Sequence, residues 1–331
     1  MTVSGPDATP AAGVRVLFLG TPVFALPSLQ AVAQAAKVVA VVTQPDRPAG
    51  RGRRVLSPPV AVEARELGLP LLQPDRIRTP ATMEELAALR PDLLVTVAYG
   101  RIIPRALLDL PPLGAINLHP SLLPAYRGAS PIQRAIADGN TTTGITIAHM
   151  TDDLDAGDII LQREVPIHPD ETAGDLEARL AREGAALLVE AVRLIVRGEA
   201  PRHSQDHTRA TYVGRLKKED GALEWSRPAR ELVNLIRAMN PWPSAYTTWR
   251  GRTLKVWRAR PGQGSGLPGE MLAADQEGMT VAAGEGAVVL QEVQLEGGRR
   301  MSAEAFFIGH PVRPGERLGG TSGQAARHAP G

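Results

Sequence analysis

Runs of consecutive apolar residues alternate with helically spaced segments along the first two thirds of the chain. Four of these runs occupy residues 14–19, 38–42, 93–97 and 114–116. A parallel strand covered on both faces has this continuous apolar character, because neither face meets water. Helical segments between the runs end near residues 36, 68 and 90. The pattern predicts an α/β fold with a doubly wound, mostly parallel sheet.

A hydroxyl residue followed by proline marks several predicted helix starts. Such pairs stand at Ser57-Pro58, Thr79-Pro80 and Ser130-Pro131. The hydroxyl can cap the first free amides, and proline suits the first helical turn. The remaining predicted elements of this region are strands at 144–149 and 159–165 and a long helix at 173–197. Strands and helices therefore keep alternating, as a doubly wound domain requires.

The pattern changes after about residue 211, where short alternating strands and glycine turns replace the long helices. The predicted strands are 246–249, 253–258, 279–282 and 287–295, with one amphipathic helix at 228–239. Short strands of this kind indicate a small OB-like β-barrel domain. The predicted divisions are a disordered leader at 1–13, a catalytic domain at 14–203, a linker at 204–216, the barrel at 217–316 and a disordered tail at 317–331.

Composition excludes several kinds of chemistry. The 331 residues include no cysteine, so disulfides, thiolate catalysis and cysteine-ligated zinc are ruled out. The first residues lack the basic and apolar parts of a signal peptide, and no apolar stretch approaches the length of a membrane span. We expect a cytoplasmic protein that does not enter the membrane, acts as a monomer and contains no metal.

Positive charge is concentrated in one window of a chain whose net charge is only +2. Residues 225–260 carry eight basic side chains and one acidic one, and all four tryptophans lie there. A basic, aromatic-rich surface is typical of nucleic-acid binding. The same composition also suits a small β-domain with a tryptophan core and solvated arginines, so both interpretations stay open.

The candidate chemistry lies at the end of the fourth apolar run, in the sequence Asn-Leu-His-Pro-Ser-Leu-Leu-Pro from 117 to 124. Asn117 and His119 are two residues apart, so on a strand they face the same side. An amide can stabilise a developing oxyanion and an imidazole can transfer a proton. Asp155, in the acidic segment 153–158, could orient the histidine. We expect the site at the carboxyl ends of the strands.

These residues resemble the folate-dependent formyltransferases. The run from Asn117 to Pro124, followed by Asp155-x-Gly157-Asp158, is similar to the signature of that family. Further matching segments are Gly20-Thr21-Pro22, the basic loop 44–52, Val97 to Gly100, Tyr126 to Ala129 and Asn240 to Pro243. The resemblance covers about residues 14–315.

The resemblance implies a Rossmann-like formyltransferase domain and a function. The enzyme would transfer the formyl group of 10-formyltetrahydrofolate to the α-amino group of methionine on initiator methionyl-tRNA, by direct attack through a tetrahedral intermediate. Asn117 would be the oxyanion donor, His119 the proton relay and Asp155 the orienting carboxylate. The implied folate-binding residues are Tyr99, Gly100, Arg101, Ile102, Ser121, Leu122, Leu123, Pro124, Asp153 and Gly157. The residues expected to bind tRNA, at its acceptor stem and elsewhere, are Arg47, Arg51, Arg53, Arg54, Arg250, Arg252, Lys255 and Arg258.

Two other functions remain open at this stage. A formyltransferase with a small substrate, such as an amino-sugar nucleotide or glycinamide ribotide, would share Asn117, His119 and Asp155 but would need neither the basic loop nor the basic second domain. A noncatalytic RNA-binding protein would need only that second domain. The catalytic set argues against the noncatalytic function, because binding alone requires no such set.

Overall fold

The computed structural model describes residues 13–49 and 54–319. The described residues form two compact units, each assembled from several stretches of chain. The first unit takes the described residues through Gly128, with Thr142–Pro166 and Glu177–Val213. The second unit takes Ala129–Thr141, Ile167–Leu176 and the described residues from Gly214 onward. Most of the predicted leader and tail, namely residues 1–12 and 320–331, lies outside the described residues.

The strands, in chain order, are β1 (Arg15–Gly20), β2 (Lys37–Val42), β3 (Arg47–Ala49), β4 (Arg54–Leu56), β5 (Leu71–Leu72), β6 (Leu93–Val97), β7 (Ala115–His119), β8 (Arg127–Gly128), β9 (Thr142–His149), β10 (Ile159–Pro166), β11 (Tyr212–Val213), β12 (Ala245–Trp249), β13 (Arg252–Gly262), β14 (Met271–Asp275), β15 (Gly278–Ala282), β16 (Ala287–Leu295) and β17 (Met301–Ser302). The helices are α1 (Leu26–Ala35), α2 (Pro59–Glu66), α3 (Pro80–Ala88), α4 (Arg105–Leu108), α5 (Pro131–Ala137), α6 (Ala173–Val196), α7 (Ala229–Ala238) and α8 (Ala303–Gly309).

The first unit is built on a seven-stranded sheet in the order β10-β9-β7-β6-β1-β2-β5. The five strands from β7 to β5 pair in parallel, and β9 and β10 add antiparallel strands at one edge. The predicted doubly wound, mostly parallel sheet is therefore confirmed. Strand order reverses between β1 and β6, which places the loops after these strands at the usual ligand-binding edge.

One face of this sheet carries the core that ends at the candidate site. Leu17, Leu19 and Leu94 point to that face with Ala115, and side chains from α3 and α4 cover them. Asn117 and His119 follow Ala115 at intervals of two, so they continue the same face beyond the apolar core. Leu118 faces the other way and packs against Gly184 of α6.

The predicted helix starts are close to the observed ones, but of the three predicted capping residues only the threonine is a cap. Thr79 caps α3 by accepting from the Thr82 amide at 3.3 Å. The Ser57 hydroxyl instead donates to Asp46 at 2.8 Å, and the Ser130 hydroxyl donates to the Gly214 carbonyl at 2.5 Å. Both hydroxyls therefore fix distant segments, while proline alone supports the first helical turn.

The second unit contains a six-stranded antiparallel sheet on which α7 packs. Its strand path runs β12-β13-β16-β15-β14, with β17 added beside β16. The segment after α8 bonds to the strands at both ends of that path. Its backbone bonds to β14 through Met271 N and Glu316 O at 2.7 Å, and to β12 through Gly319 N and Thr248 O at 2.9 Å. In this barrel-like domain, the segment up to Gly319 thus covers the edges of β14 and β12.

Several short elements were not predicted from the sequence. β3 and β4 form an antiparallel hairpin within the basic segment that the sequence analysis treats as a loop. β8 and β11 form a parallel pair of two residues each, far apart in the chain. Across the residues that the structure describes, no helix has the length and apolar character of a membrane span.

Candidate active site

Asn117 and His119 extend from β7 towards a single carboxylate, that of Asp155. Asn117 Nδ2 donates to Asp155 Oδ1 at 3.4 Å, and His119 Nδ1 lies 3.6 Å from Asp155 Oδ2. The His119 side chain is buried, and 12% of the Asp155 side chain is exposed. The structure therefore brings the three predicted catalytic residues together in a nearly enclosed cluster.

The second ring nitrogen of His119 is also engaged. Nε2 lies 2.9 Å from the carbonyl oxygen of Tyr126. A carbonyl oxygen can only accept, so Nε2 carries the hydrogen in this contact. Nδ1 is then the nitrogen that can exchange a proton, and it faces Asp155. Of the two contacts, the one to Asp155 is longer and is the easier one for a substrate to replace.

The Asp155 carboxylate and backbone are both constrained. The Gly128 amide donates to Asp155 Oδ2 at 2.8 Å, and Asp155 has φ +50°, a left-handed conformation that non-glycine residues rarely adopt. Two residues later the chain passes close to the end of β9. A Cβ on Gly157 would lie 1.9 Å from the His149 carbonyl oxygen, so this approach requires glycine. Gly157 thus shapes the loop that carries Asp155.

The predicted folate-binding residues 121–124 form a fixed turn directly after His119. The Ser121 hydroxyl donates to the Ala125 carbonyl at 2.6 Å. The Thr146 hydroxyl donates to the Ser121 carbonyl at 2.7 Å and accepts from the Leu123 amide at 3.1 Å. Leu122 packs against Gly144 of β9, and the peptide bond between Leu123 and Pro124 is cis. The Ser121 side chain therefore shapes the turn.

Residues 99–102, the other predicted folate-binding group, follow β6. The Tyr99 side chain is buried in the core, and burial raises the pKa of its hydroxyl, with Arg101 opposing. Its carbonyl accepts from the side chains of Thr21 and Gln44, each at 3.0 Å. Arg101 donates to the Asp75 carbonyl at 2.6 Å, and the Ile102 side chain is 76% exposed. The Tyr99 side chain is thus a core residue, whereas Ile102 is exposed on the segment after β6, the strand that pairs with β7.

The loop between β9 and β10 has its own electrostatic support. Hydrogen bonds from Arg202 and Ser204 lower the pKa of Asp158. Burial lowers the pKa of the neighbouring His149, and Arg202 acts in the same direction while Asp158 opposes it. His149 Nε2 is buried with no hydrogen-bond partner among the described residues. Asp153, the other predicted folate-binding residue here, is exposed.

The predicted tRNA-binding arginines divide into two groups. In the first unit Arg47 is exposed at the start of the β3–β4 hairpin, and Arg54 lies in β4. Arg51 and Arg53 lie outside the described residues. Gln73 fixes the base of the hairpin by donating to Asp46 at 2.7 Å and to the Gln44 carbonyl at 3.1 Å.

The basic residues of the second unit have different environments. Arg250 donates to Glu316 at 2.6 Å and stacks on Trp249, and Arg252 donates to the Glu296 carbonyl at 2.6 Å. Lys255 and Arg300 lie over the ring of Trp257, at 5.6 and 4.8 Å from its centroid. Arg258 is exposed.

The four tryptophans of the basic window have different environments, so the interpretation as a tryptophan core applies to only part of them. Trp225 and Trp249 are buried there, and the Trp225 indole donates to Thr247 at 3.0 Å. Trp242, however, is 55% exposed between two prolines. Trp257 is half-buried between cationic side chains.

Two residues beside Asp155 were missed as functional candidates by the sequence analysis. Gln205 donates to the carbonyls of Asp155 and Gly157, and Arg127 donates to Gln205. Arg127 belongs to a segment that carries the family resemblance, but Gln205 falls in the predicted linker. The sequence gives no signal for Gln205, because the carbonyl that it contacts lies fifty positions earlier in the chain.

The arrangement is suited to transfer at a carbonyl centre. Among the described residues, no group of three histidine, aspartate or glutamate side chains is placed to hold a metal ion. An amide donor, an imidazole and a carboxylate are groups that can provide oxyanion stabilisation and proton transfer.

Comparison with protein families agrees with this chemistry. The protein-family model described as formyl transferase matches residues 14–192. The family model described as the formyl transferase C-terminal domain matches residues 215–311. The chain belongs to the formyl transferase family and is an enzyme of that class.

Individual relatives match along nearly their whole length. The methionyl-tRNA formyltransferase of Citrifermentans bemidjiense is 46% identical over 308 residues, covering 93% of this chain and 97% of the relative. That of Syntrophus aciditrophicus is 48% identical over 311 residues, covering 93% and 100%. The match therefore includes both units of the chain.

Solved structures share the fold. The N-formyltransferase from Helicobacter canadensis, in complex with folinic acid and dTDP-3-aminofucose, superposes with a TM-score of 0.64 at 18% identity, covering 84% of this chain and 98% of that one. HypX from Aquifex aeolicus in complex with tetrahydrofolic acid gives a TM-score of 0.60 at 18% identity, covering 89% and 47%. The chain spans about half the length of HypX, and both likenesses concern the fold alone.

Proposed function

We propose that this enzyme transfers the formyl group of 10-formyltetrahydrofolate to the α-amino group of methionine on initiator methionyl-tRNA, acting as a cytoplasmic monomer. The observation that carries the proposal is the convergence of Asn117 and His119 on the Asp155 carboxylate. The names of relatives that match 97–100% of their own length support this choice of acceptor.

The reaction exchanges one carbon–nitrogen bond for another. The amine nitrogen attacks the formyl carbon and gives a tetrahedral intermediate; the bond from that carbon to folate N10 then breaks, and a proton passes from the amine to N10. Asn117 Nδ2, whose contact with Asp155 is long, donates to the oxygen that becomes negative. His119 Nδ1 and Asp155 take up and return the proton, while Tyr126 holds the other side of the ring.

The residues around the site fit a folate. A pterin ring presents apolar faces and polar edges, so it needs exposed apolar side chains next to backbone polar groups. Ile102 lies on the segment after β6, the strand paired with β7, and Leu154 lies on the segment of Asp155; these large apolar side chains are 76% and 61% exposed. Arg105 joins these segments by donating to Asp152 at 3.3 Å. Ile102, Leu154 and the backbone of Gly100 and Arg101 would hold the ring.

Basic surfaces in both units support a tRNA acceptor over a small one. The first unit presents the exposed Arg47 at the start of the β3–β4 hairpin, and the second presents the exposed Arg258 and the cation-flanked Trp257. Arginine and lysine neutralise phosphates, and a small amine requires no such surface. These features favour nucleic acid as the carrier of the amine.

Two measurements on the full chain test the proposal. Charged initiator tRNA and 10-formyltetrahydrofolate should yield formylmethionyl-tRNA at a rate proportional to enzyme, and filter binding should retain the charged tRNA. An amino-sugar nucleotide serves as the competing acceptor. Faster formylation of that sugar than of methionyl-tRNA would contradict the proposed acceptor. Binding of tRNA with no turnover would leave only an RNA-binding function.

A further inference from the structure

The main chain from Asp155 to Gly157 is held by one side-chain amide. Gln205 Nε2 donates to the Asp155 carbonyl at 2.8 Å and to the Gly157 carbonyl at 2.7 Å. An amide NH₂ has two hydrogens, and this geometry uses both. Asp155 needs such support because its φ of +50° is costly for a residue with a Cβ.

The orientation of Gln205 is itself determined by a buried arginine. Arg127 donates to Gln205 Oε1 through Nη2 at 2.7 Å and through Nε at 3.2 Å. Because a guanidinium has only donors, the amide oxygen must face Arg127 and the amide nitrogen must face the two carbonyls. Arg127 is 2% exposed and Gln205 is 6% exposed, so water competes little for either group.

The same short strand reaches Asp155 from a second direction. The amide of Gly128, the residue after Arg127, donates to the Asp155 carboxylate at 2.8 Å. The pairing of β8 with β11 fixes this strand, and a Cβ on Gly128 would lie 2.2 Å from the Val213 carbonyl oxygen. Arg127 and Gly128 therefore constrain Asp155 at both its main chain and its carboxylate.

We infer that Gln205, oriented by Arg127, is a positioning residue for catalysis. It holds Asp155 in the left-handed conformation from which its two carboxylate oxygens reach Asn117 and His119. This inference rests on the proposed function, because it requires Asp155 to act in the transfer. Among the described residues, the Gln205 amide nitrogen bonds to the main chain of the Asp155 loop and not to Asn117 or His119. Its effect on catalysis therefore passes through the Asp155 backbone.

Gln205→Glu is the sharpest test. The glutamate keeps the length of the side chain and still accepts from Arg127, so the buried guanidinium keeps its partner. It has no N–H group for the carbonyls of Asp155 and Gly157. We expect turnover to fall about a hundredfold, the cost of a misplacement of about 1 Å in a catalytic group, with KM for both substrates nearly unchanged. Tyr212→Phe is the matched control, because it removes only a 3.2 Å bond on the far side of Arg127; its turnover should stay within about twofold of wild type.

Folded enzyme is counted in each sample by stoichiometric binding of folinic acid. Full binding with low turnover supports the inference. Turnover that falls only in proportion to bound folinic acid, or wild-type turnover in Gln205→Glu, overturns it. If Gln205→Glu does not fold, the double variant Arg127→Met/Gln205→Met replaces both partners by apolar side chains of similar length, a change that can be nearly neutral for stability. For this double variant, the same results support or overturn the inference as for Gln205→Glu.

The control for the proposed function is separate. If wild type does not formylate methionyl-tRNA, the proposed acceptor is wrong, and the same variants are compared in hydrolysis of 10-formyltetrahydrofolate to formate and tetrahydrofolate. A hundredfold loss in that reaction still supports the inference, and equal rates overturn it.

Discussion

Asp155 is the residue on which the candidate site depends. Its carboxylate meets Asn117, His119 and the Gly128 amide, and its backbone occupies a conformation that the surrounding hydrogen bonds must maintain. The catalytic geometry therefore comes from two segments far apart in sequence, a strand end and a strained loop. Replacing any member should affect chemistry more than folding.

Removing the catalytic side chains one at a time gives the first prediction. Asn117→Ala, His119→Ala and Asp155→Ala should each lower turnover by about a hundredfold to a thousandfold, the usual loss of an oxyanion donor or proton relay. Formylation is measured at saturating substrates, with circular dichroism to verify folding. Glu164→Ala, on the exposed side of β10, is the control. Near-normal turnover in any of the three would remove that residue from the mechanism.

His149 gives a prediction about pH and stability. Burial lowers its pKa in the folded state, so the unfolded chain takes up a proton at about pH 6.5 while the folded chain resists it. The unfolded state then binds more protons, so the free energy of unfolding should fall as pH drops below about 6.5 and rise again on return. Urea titrations from pH 5 to 7.5 should show a shallower pH dependence for His149→Asn. The exposed His203→Asn is the control, and equal slopes for His149→Asn and wild type would contradict the prediction.

At the scale of elements, the parts that sequence predicts well are those whose burial leaves a pattern. β1, β2 and β6 are runs buried on both faces, and their predicted bounds agree with the observed ones to within about a residue. β8 and β11 are two residues long and pair across 85 positions, so no hydrophobic periodicity in the sequence predicts them. Ser57 and Ser130 look like caps, but their hydroxyls bond to partners that only the tertiary fold supplies.

The candidate site shows the same division. Asn117 and His119 are evident because their spacing on a strand puts both side chains on one face. Asp155 needs the family resemblance, since an aspartate before glycine is also a common turn residue. The contacts of Gln205 depend on the segment after the long helix α6, which lies fifty positions beyond Asp155 in the chain. Such long-range hydrogen bonds have no local sequence pattern.

The basic segment in and around the β3–β4 hairpin is the part of the chain for which we predict a substrate-specific effect; Arg51 belongs to it in sequence. Arg51→Ala should raise KM for charged tRNA several-fold, because an arginine fork to phosphate is lost. The dissociation constant for folinic acid should be nearly unchanged, since other segments border the catalytic cluster. Arg78→Ala removes the same charge from an exposed position outside the hairpin and is the control. Equal damage to folate binding would indicate that Arg51 supports the fold.

For the whole molecule, charge predicts how tRNA affinity depends on salt. Each neutralised phosphate contributes a log–log slope of about 0.7–0.9. The double variant Lys255→Ala/Arg258→Ala should therefore bind tRNA more weakly. Its log–log slope should be smaller by up to about the contribution of two phosphate contacts. Arg182→Ala/Arg193→Ala makes the same charge change on exposed positions of α6 and should keep the wild-type slope. Filter binding from 50 to 300 mM salt measures both, and an unchanged slope in the first variant would exclude these residues from phosphate contact.

The two units cannot be separated by one cut, because the chain passes between them more than once. Helix α5 belongs to the second unit, where it packs on α7, although it precedes β9 in the chain. A truncation before α7 would therefore leave α5 without its partner. Substitutions are the cleaner way to assign roles to each unit.

The segment that joins β14 to β12 has a practical consequence for handling the protein. A chain ending at Pro314 would lose the bonds that Glu316 and Gly319 make to Met271 and Thr248. Two open strand edges would then face solvent, and unpaired edges recruit strands from other molecules. Such a chain should form soluble aggregates on mild heating, seen by light scattering, whereas one ending at Gly319 should stay dispersed. Affinity tags and fusion partners should therefore be attached beyond Gly319, where they leave these backbone bonds to β14 and β12 in place.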